Sequence, residues 1–282
     1  MSTGGAYMHY PEFNDNHLVY NHRHMKQVST YRIPPQVHDI YEMIYVKTGN
    51  LIYSVEEKSY QVRSNSLILT RPGKLHILQL EETGEYDRYD IFFEAEVTLK
   101  SVLEQIPAEL DVVAFDEETP LLPLFQKMDH YCNHFEGQEL KAVLCNLVEQ
   151  IIYELVIFLQ QDTSKQTGRH TANPTVAAAI EYIDNHLHMD LSLDTLCKEL
   201  YISKSYLHQL FIRFLQISPK RYIAGKRLMA AQQAIRSGEH PTDIYTRFGF
   251  SDYSSFYRAY CKQFGYAPSE ELDRRVVREI AF

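Results

Sequence analysis

The sequence predicts an α+β protein, with an amino-terminal β-barrel and flanking helices followed by an all-α domain. Three observations lead there. Short aromatic and β-branched runs separated by turn residues fill the stretch from about His17 to Glu94. A helical period takes over near Leu121, and after Pro174 every segment reads as helix, with one pattern occurring twice. At 282 residues, with 45% hydrophobic and 23% charged side chains, the chain is long enough for two such domains and has an ordinary globular composition.

In the first zone, Tyr41–Val46, Leu51–Val55 and Ser66–Leu69 are set apart by Thr48-Gly49-Asn50, Glu56-Glu57-Lys58 and Arg71-Pro72-Gly73. Closely spaced strands with such turns build a barrel or sandwich. From about Leu121 to Gln161, Leu140, Val143, Leu144, Leu147, Ile151 and Leu155 recur at spacings of three and four, the stripe of an amphipathic helix. That stripe covers its own domain, and its length also suits packing against a second subunit. The apolar run Ile151 to Leu159 is interrupted by Glu154 and falls short of the ~20 residues that cross a bilayer. Asp162 to Pro174 (DTSKQTGRHTANP) is almost free of apolar side chains and reads as a linker. The chain is thereby divided into 1–161, a linker at 162–174, and 175–282.

Charge separates the two halves. The whole chain carries a net charge of −9, yet Leu196 to Lys262 holds 11 basic residues against 4 acidic ones. A polyanion such as a phosphate backbone responds to that local field. The repeated pattern falls in the same stretch. Leu193–Leu200 is a short helix, Tyr201-Ile202-Ser203 a turn and Lys204–Leu215 a second helix. Thr242–Phe248, Gly249-Phe250-Ser251 and Asp252–Phe264 repeat the arrangement, with Ser203 and Ser251 as the expected N-caps. A short helix, a tight turn and a longer helix form the unit whose second helix enters the major groove of DNA.

Helical phasing leaves Lys204, Ser205, His208, Gln209 and Ile212 on the outer face of the first reading helix. In the second it leaves Tyr253, Ser254, Tyr257 and Arg258. Hydroxyls, amides and Arg are the groups that hydrogen-bond base edges. Pro219 opens a connecting helix that runs to about Ser237, a rod of roughly 28 Å. With the flanking units it brings the reading helices near the ~34 Å between successive major-groove faces.

These residues carry a resemblance. Leu193–Phe214 (LDTLCKELYISKSYLHQLFIRF), Ser218-Pro219, Arg227-Leu228 and above all Gly249–Pro268 (GFSDYSSFYRAYCKQFGYAP) resemble the DNA-binding domain of the AraC/XylS family of bacterial transcription regulators. The resemblance implies seven helices and base contacts from Ser205, His208 and Gln209 in the first unit, and from Tyr253, Ser254, Ser255, Tyr257 and Arg258 in the second. It also implies an activator that meets double-stranded DNA and RNA polymerase in the cytoplasm. The sequence departs from the family pattern at Tyr201 and Gln216, where glycine is usual. It departs again at Cys197 and Tyr245, where a small alanine is usual, and at Glu271-Leu272, where Tyr-Arg is usual.

Tyr31 to Glu94 resembles the cupin-like barrel that precedes this domain in many AraC-type proteins. His38, Glu42, Ile44 and Val46 share parity, as do His76, Leu78 and Leu80, so His38, Glu42 and His76 are expected to converge inside the barrel. They are the candidate contacts for a small effector, a sugar among the possibilities, with Tyr53 and Arg32 as weaker candidates. The metal-binding cupin pattern has a further His where Gln36 stands, so no metal is expected, and no cofactor. A metal-dependent cupin enzyme with a helical appendage is the competing reading. Against it, no phosphate-binding loop or HExxH is present and nothing assembles into a catalytic set, so the chain is expected not to be an enzyme. His22 with His24, His130 with Cys132 and His134, and His186 with His188 each lack a complete set of four ligands at zinc spacing. The four cysteines form no CxxC pair and Met1–Tyr20 lacks a basic start followed by an apolar run, so a cytoplasmic setting is expected, and the helices between Leu121 and Gln161 make a homodimer the expected form.

Overall fold

The computed structural model describes residues 11–15, 17–28, 32–81, 83–95, 97–115, 120–161, 170–188, 191–271 and 280–281. Two six-stranded antiparallel sheets face each other. The first runs in the order β1 (Glu12–Asn14), β2 (Leu18–Val28), β9 (Gly84–Phe93), β4 (Tyr41–Thr48), β7 (Ser66–Thr70), β10 (Val112–Ala114). The second runs β11 (His170–Ala172), β6 (Lys58–Val62), β5 (Leu51–Val55), β8 (His76–Leu80), β3 (Gln36–Val37), β12 (Ile280–Ala281). The three strands expected around residues 41, 51 and 66 are β4, β5 and β7.

Strand alternation divides the apolar residues between two cores. Ile44, Val46, Leu51, Tyr53, Tyr60, Ile68 and Leu78 point between the sheets and fill the barrel. Met43, Tyr45, Leu67, Leu69, Tyr89 and Ile91 point the other way, onto α1 (Val97–Leu103), α2 (Leu121–Cys132) and α3 (Gly137–Gln161). The first sheet is therefore covered on both faces, which is why β7 reads as an unbroken buried run. The helical stripe read from Leu121 to Gln161 is two helices, broken at Asn133–Glu136. By length and composition α3 is the one helix among the described residues that could cross a membrane, a longer apolar segment than Ile151–Leu159 indicated. Nine of its side chains are buried, and they pack into the core shared with the first sheet.

The carboxy-terminal half contains α4 (Pro174–Asn185), α5 (Leu193–Glu199), α6 (Lys204–Phe214), α7 (Pro219–Arg236), α8 (Pro241–Ile244), α9 (Tyr253–Phe264) and a 3₁₀ turn at Pro268–Glu270. The described residues thus show six of the seven helices implied. Each start is set chemically. Asn173, Ser192, Ser203 and Ser218 accept hydrogen bonds from backbone amides of the first turn, and Pro174 and Pro219 occupy the first helical position. The cap of α9 is Asp252 rather than Ser251: its carboxylate accepts the Ser255 amide at 2.7 Å, while the Ser251 hydroxyl donates to Asp252. Of the predicted linker, 162–169 lies outside the described residues, whereas 170–172 pair with β6 as a strand.

Candidate functional site

The helical repeat builds two exposed faces. In the first unit, Leu196, Leu207, Leu210 and Phe211 bury against α4 and the start of α7, leaving Lys204, Ser205, His208 and Gln209 in solvent. Tyr206, Ile212 and Arg213 are exposed beside them. A groove of about 400 Å³ borders this face, lined by Lys204, Ser205, His208, Gln209 and the Ser218–Lys220 start of α7. In the second unit Phe256, Tyr260 and Phe264 bury, Ser254, Tyr257 and Arg258 are exposed, and Tyr253 and Ser255 are half-buried. The Ser255 hydroxyl is held by Asp252 at 2.8 Å and accepts from Arg258 at 3.4 Å, so cap and exposed face are one network.

The departures from the family pattern have local structural consequences. Tyr201 and Gln216, both standing where glycine is usual, adopt φ of 55° and 59°, the left-handed region that disfavours a Cβ. Gly249 keeps its glycine at φ 77°, where a Cβ would collide with the Arg227 guanidinium. At Tyr245 the first helix of the second unit gives way to a turn. α8 ends at Ile244 instead of near Phe248, and the Tyr245 ring meets Tyr253 edge-on at 6.0 Å. Glu271 is fully buried at the base of this unit. It accepts hydrogen bonds from Arg236 Nε at 2.6 Å, from Gln232 at 3.3 Å and from the Tyr260 hydroxyl.

Inside the barrel the structure brings His38, Glu42 and His76 together. All three are buried; His38 Nε2 lies 3.3 Å and His76 Nε2 3.1 Å from the same Glu42 oxygen. Thr70 donates to that oxygen at 3.3 Å, and the Tyr53 hydroxyl pairs with Thr70 at 2.7 Å. Burial works to neutralise Glu42. The two histidines outweigh it and hold the carboxyl well below the usual range. Burial likewise disfavours a charged His38, but the Glu42 carboxylate and the Ile40 carbonyl raise its pKa. Arg32 does not join the group: it is exposed and bridges Gln79, whose neighbours Leu78 and Leu80 carry the inward parity.

Two ionic contacts, neither read from the sequence, tie the barrel to the helices. Asp39, next to His38, pairs with Arg236. Glu56, at the β5–β6 turn, accepts from Tyr222 at 3.1 Å and Lys74 at 2.8 Å and lies 3.5 Å from Lys226, which also meets Asp184 at 2.9 Å. The available signal was position: Glu56 sits in a turn between strands, and Asp39 abuts a candidate site residue.

Comparison with known proteins follows this division. Residues 23–128 match the AraC-like ligand binding domain and residues 196–274 a helix-turn-helix domain. The chain belongs to the AraC family of transcription regulators. As in that family, a ligand-binding domain precedes a helix-turn-helix DNA-binding domain. Its relatives include the HTH-type transcriptional activator RhaS of Escherichia coli, 22% identical over 257 residues, with 84% of this chain and 86% of the relative covered. The Shigella dysenteriae RhaS matches to the same extent. Among solved structures, ToxT from Vibrio cholerae covers 92% of this AraC-family chain at 14% identity and a TM-score of 0.41. An AraC-type DNA-binding domain protein from Chromobacterium violaceum covers 36% at 26% identity and a TM-score of 0.35.

Proposed function

We propose that this AraC-family regulator is an effector-responsive activator that acts by occupying DNA and carries out no catalysis. Residues 1–161 form the sensing and dimerising unit, 162–174 the connection and 175–282 the DNA-binding unit. The observation that carries the reading is the pair of capped helices, α6 and α9, presenting polar faces in the most basic stretch of the chain. Lys204, Ser205, His208 and Gln209 meet one major-groove face, and Tyr253, Ser254, Ser255, Tyr257 and Arg258 the next. His38, Glu42, His76 and Tyr53 supply the effector contacts. The activator assignment is supported by the RhaS relatives and brings RNA polymerase in as a partner. Pairing of two subunits is supported by Tyr153 and Ile157, exposed one turn apart on α3. The proposed setting is the cytoplasm, with no membrane partner.

Effector binding changes the barrel, and the Asp39–Arg236 and Glu56–Lys226 contacts pass that change to the DNA-binding unit. The test is selection of bound fragments from a random duplex pool at about 0.15 M salt, with and without candidate effectors. Enriched sites with two elements about one helical turn (~10 base pairs) apart are expected. A pool that stays random under every condition would overturn the reading. Glu42→Ala is expected to abolish the effector response and leave basal DNA binding intact.

A further inference from the structure

We infer that Leu75 and Val37 are the positioning residues through which the barrel addresses the two helix-turn-helix units separately, Leu75 seating the first and Val37 the second. This route rests on the effector-sensing role proposed for the barrel and specifies how it reaches the DNA-binding unit. Leu75 is buried in the core formed by Val176, Ile180, Leu196, Leu207, Phe211 and Tyr222. Val37 is buried in the core formed by Leu228, Ile244, Phe248, Phe256 and Tyr260. Among the described residues, every other member of the first core lies between 176 and 223, and every other member of the second between 228 and 266. Each unit therefore receives one barrel side chain, and the two side chains are different.

Strand geometry joins these two side chains to the buried triad. Neighbouring residues of a strand point to opposite faces. Leu75 immediately precedes His76, Val37 immediately precedes His38, and Gln36 pairs with His76 in register. The histidines point into the barrel, where their Nε2 atoms lie 3.1 Å (His76) and 3.3 Å (His38) from one Glu42 oxygen. Their predecessors point out into the helical cores. The backbone at both places is pinned: the Gly73 amide donates to the His38 carbonyl at 2.8 Å, and the Glu56 amide to the Leu75 carbonyl at 2.8 Å. A histidine that moves relative to Glu42 carries its neighbour's Cα, one peptide (about 3.8 Å) away. A core packed at crystal density does not absorb that displacement, so the helices around the side chain reseat. The ionic contacts of Glu56 and Asp39 end on Lys226 and Arg236 of α7, a helix shared by both cores. Leu75 and Val37, by contrast, tell the two cores apart.

Hydrogen exchange of the full-length chain tests the route, with His76→Gln and His38→Gln introduced into wild-type, Leu75→Ala and Val37→Ala backgrounds. In the wild-type background His76→Gln is expected to change exchange in α6 by at least about threefold, beyond the scatter of independent substitutions, and to leave α9 within it. His38→Gln is expected to do the reverse. The α6 response to His76→Gln is expected to disappear in Leu75→Ala, and the α9 response to His38→Gln in Val37→Ala. Leu75→Met, which refills the core, is expected to restore the first response. A merely structural side chain would raise the baseline exchange of its unit and leave the response to the histidine in place. That additive result would overturn the proposal, and so would responses that appear in both helices together or in neither. Leu75→Val, His76→Asn and His38→Asn take over if a variant fails to fold. Exchange is read without DNA or effector, so a failure here is distinct from a selection pool that stays random, which is the failure of the regulator reading.

Discussion

Replacing Glu271 with alanine tests whether one buried carboxylate holds the second helix-turn-helix unit together. The carboxylate is fully buried and accepts from Tyr260, Gln232 and Arg236. Truncation strands these donors unequally. Tyr260 is fully buried and loses the partner of its hydroxyl, a cost of about 1–3 kcal/mol. Gln232 keeps the Tyr266 hydroxyl at 3.0 Å, and Arg236 is partly exposed and keeps Asp39, so each contributes less. The sum is about 3 kcal/mol, roughly a hundredfold in an opening equilibrium. Hydrogen exchange reads it directly. Amides of α9 are expected to exchange about a hundredfold faster in Glu271→Ala, those of α6 are expected to be unchanged, and Glu271→Gln, which retains an acceptor, is expected to fall between. Less than a threefold change in α9 would refute the argument, because the three donors would then have found other partners at no cost.

Arg258→Ala is expected to weaken specific DNA binding by ~1–3 kcal/mol and to relax the preference at one base position, read by selection from a random pool; an unchanged preference removes Arg258 from base reading. Tyr201→Gly is expected to raise stability by up to about 1 kcal/mol in urea denaturation. It relieves a left-handed backbone at a side chain 95% exposed that has little packing to lose. His22 lies between Asp129 and Asp87, at 2.7 Å from each. Burial opposes its charge, but the two carboxylates win and raise its pKa. The stabilisation is therefore fully present below the unfolded value of about 6.5 and lost as pH rises through the folded value. The thermal midpoint is expected to fall above neutral pH, and His22→Gln to flatten that decline.

The helical half was legible because its signals are local. Caps at Ser203 and Ser218, Pro219 at a helix start and the buried stripe of Leu207, Leu210 and Phe211 all depend on near neighbours in sequence. The departures from glycine were legible too, since Tyr201 and Gln216 were forced into the left-handed region that glycine serves. Ser251 failed as a cap because Asp252 follows it and offers a charged acceptor at the position that reaches the Ser255 amide. The early end of α8 at Ile244 was not legible, because the apolar spacing of Thr242–Phe248 does not mark where helix gives way to turn. In the barrel, parity placed Glu42 and His76 on one lining, but Arg32 went astray because it joins the sheet through a lone bridge rather than a strand. Glu56 with Lys226 and Asp39 with Arg236 are pairs 170 and 197 residues apart. No window of sequence holds both members.

The strand at His170–Ala172 has a practical and a mechanical consequence. It supplies the backbone partners for the outer side of β6, so a barrel fragment ending at Gln161 would present a row of unmatched amides and carbonyls to any passing strand. A soluble fragment should extend at least to Ala172. Asn173 follows immediately, donating its amide to the Glu57 carbonyl at 3.4 Å while its side chain caps α4. The β5–β6 hairpin, the bound strand and the first helix of the DNA-binding unit are thus joined by consecutive backbone contacts. The contact between hairpin and α4 is made by residues 170–173 themselves.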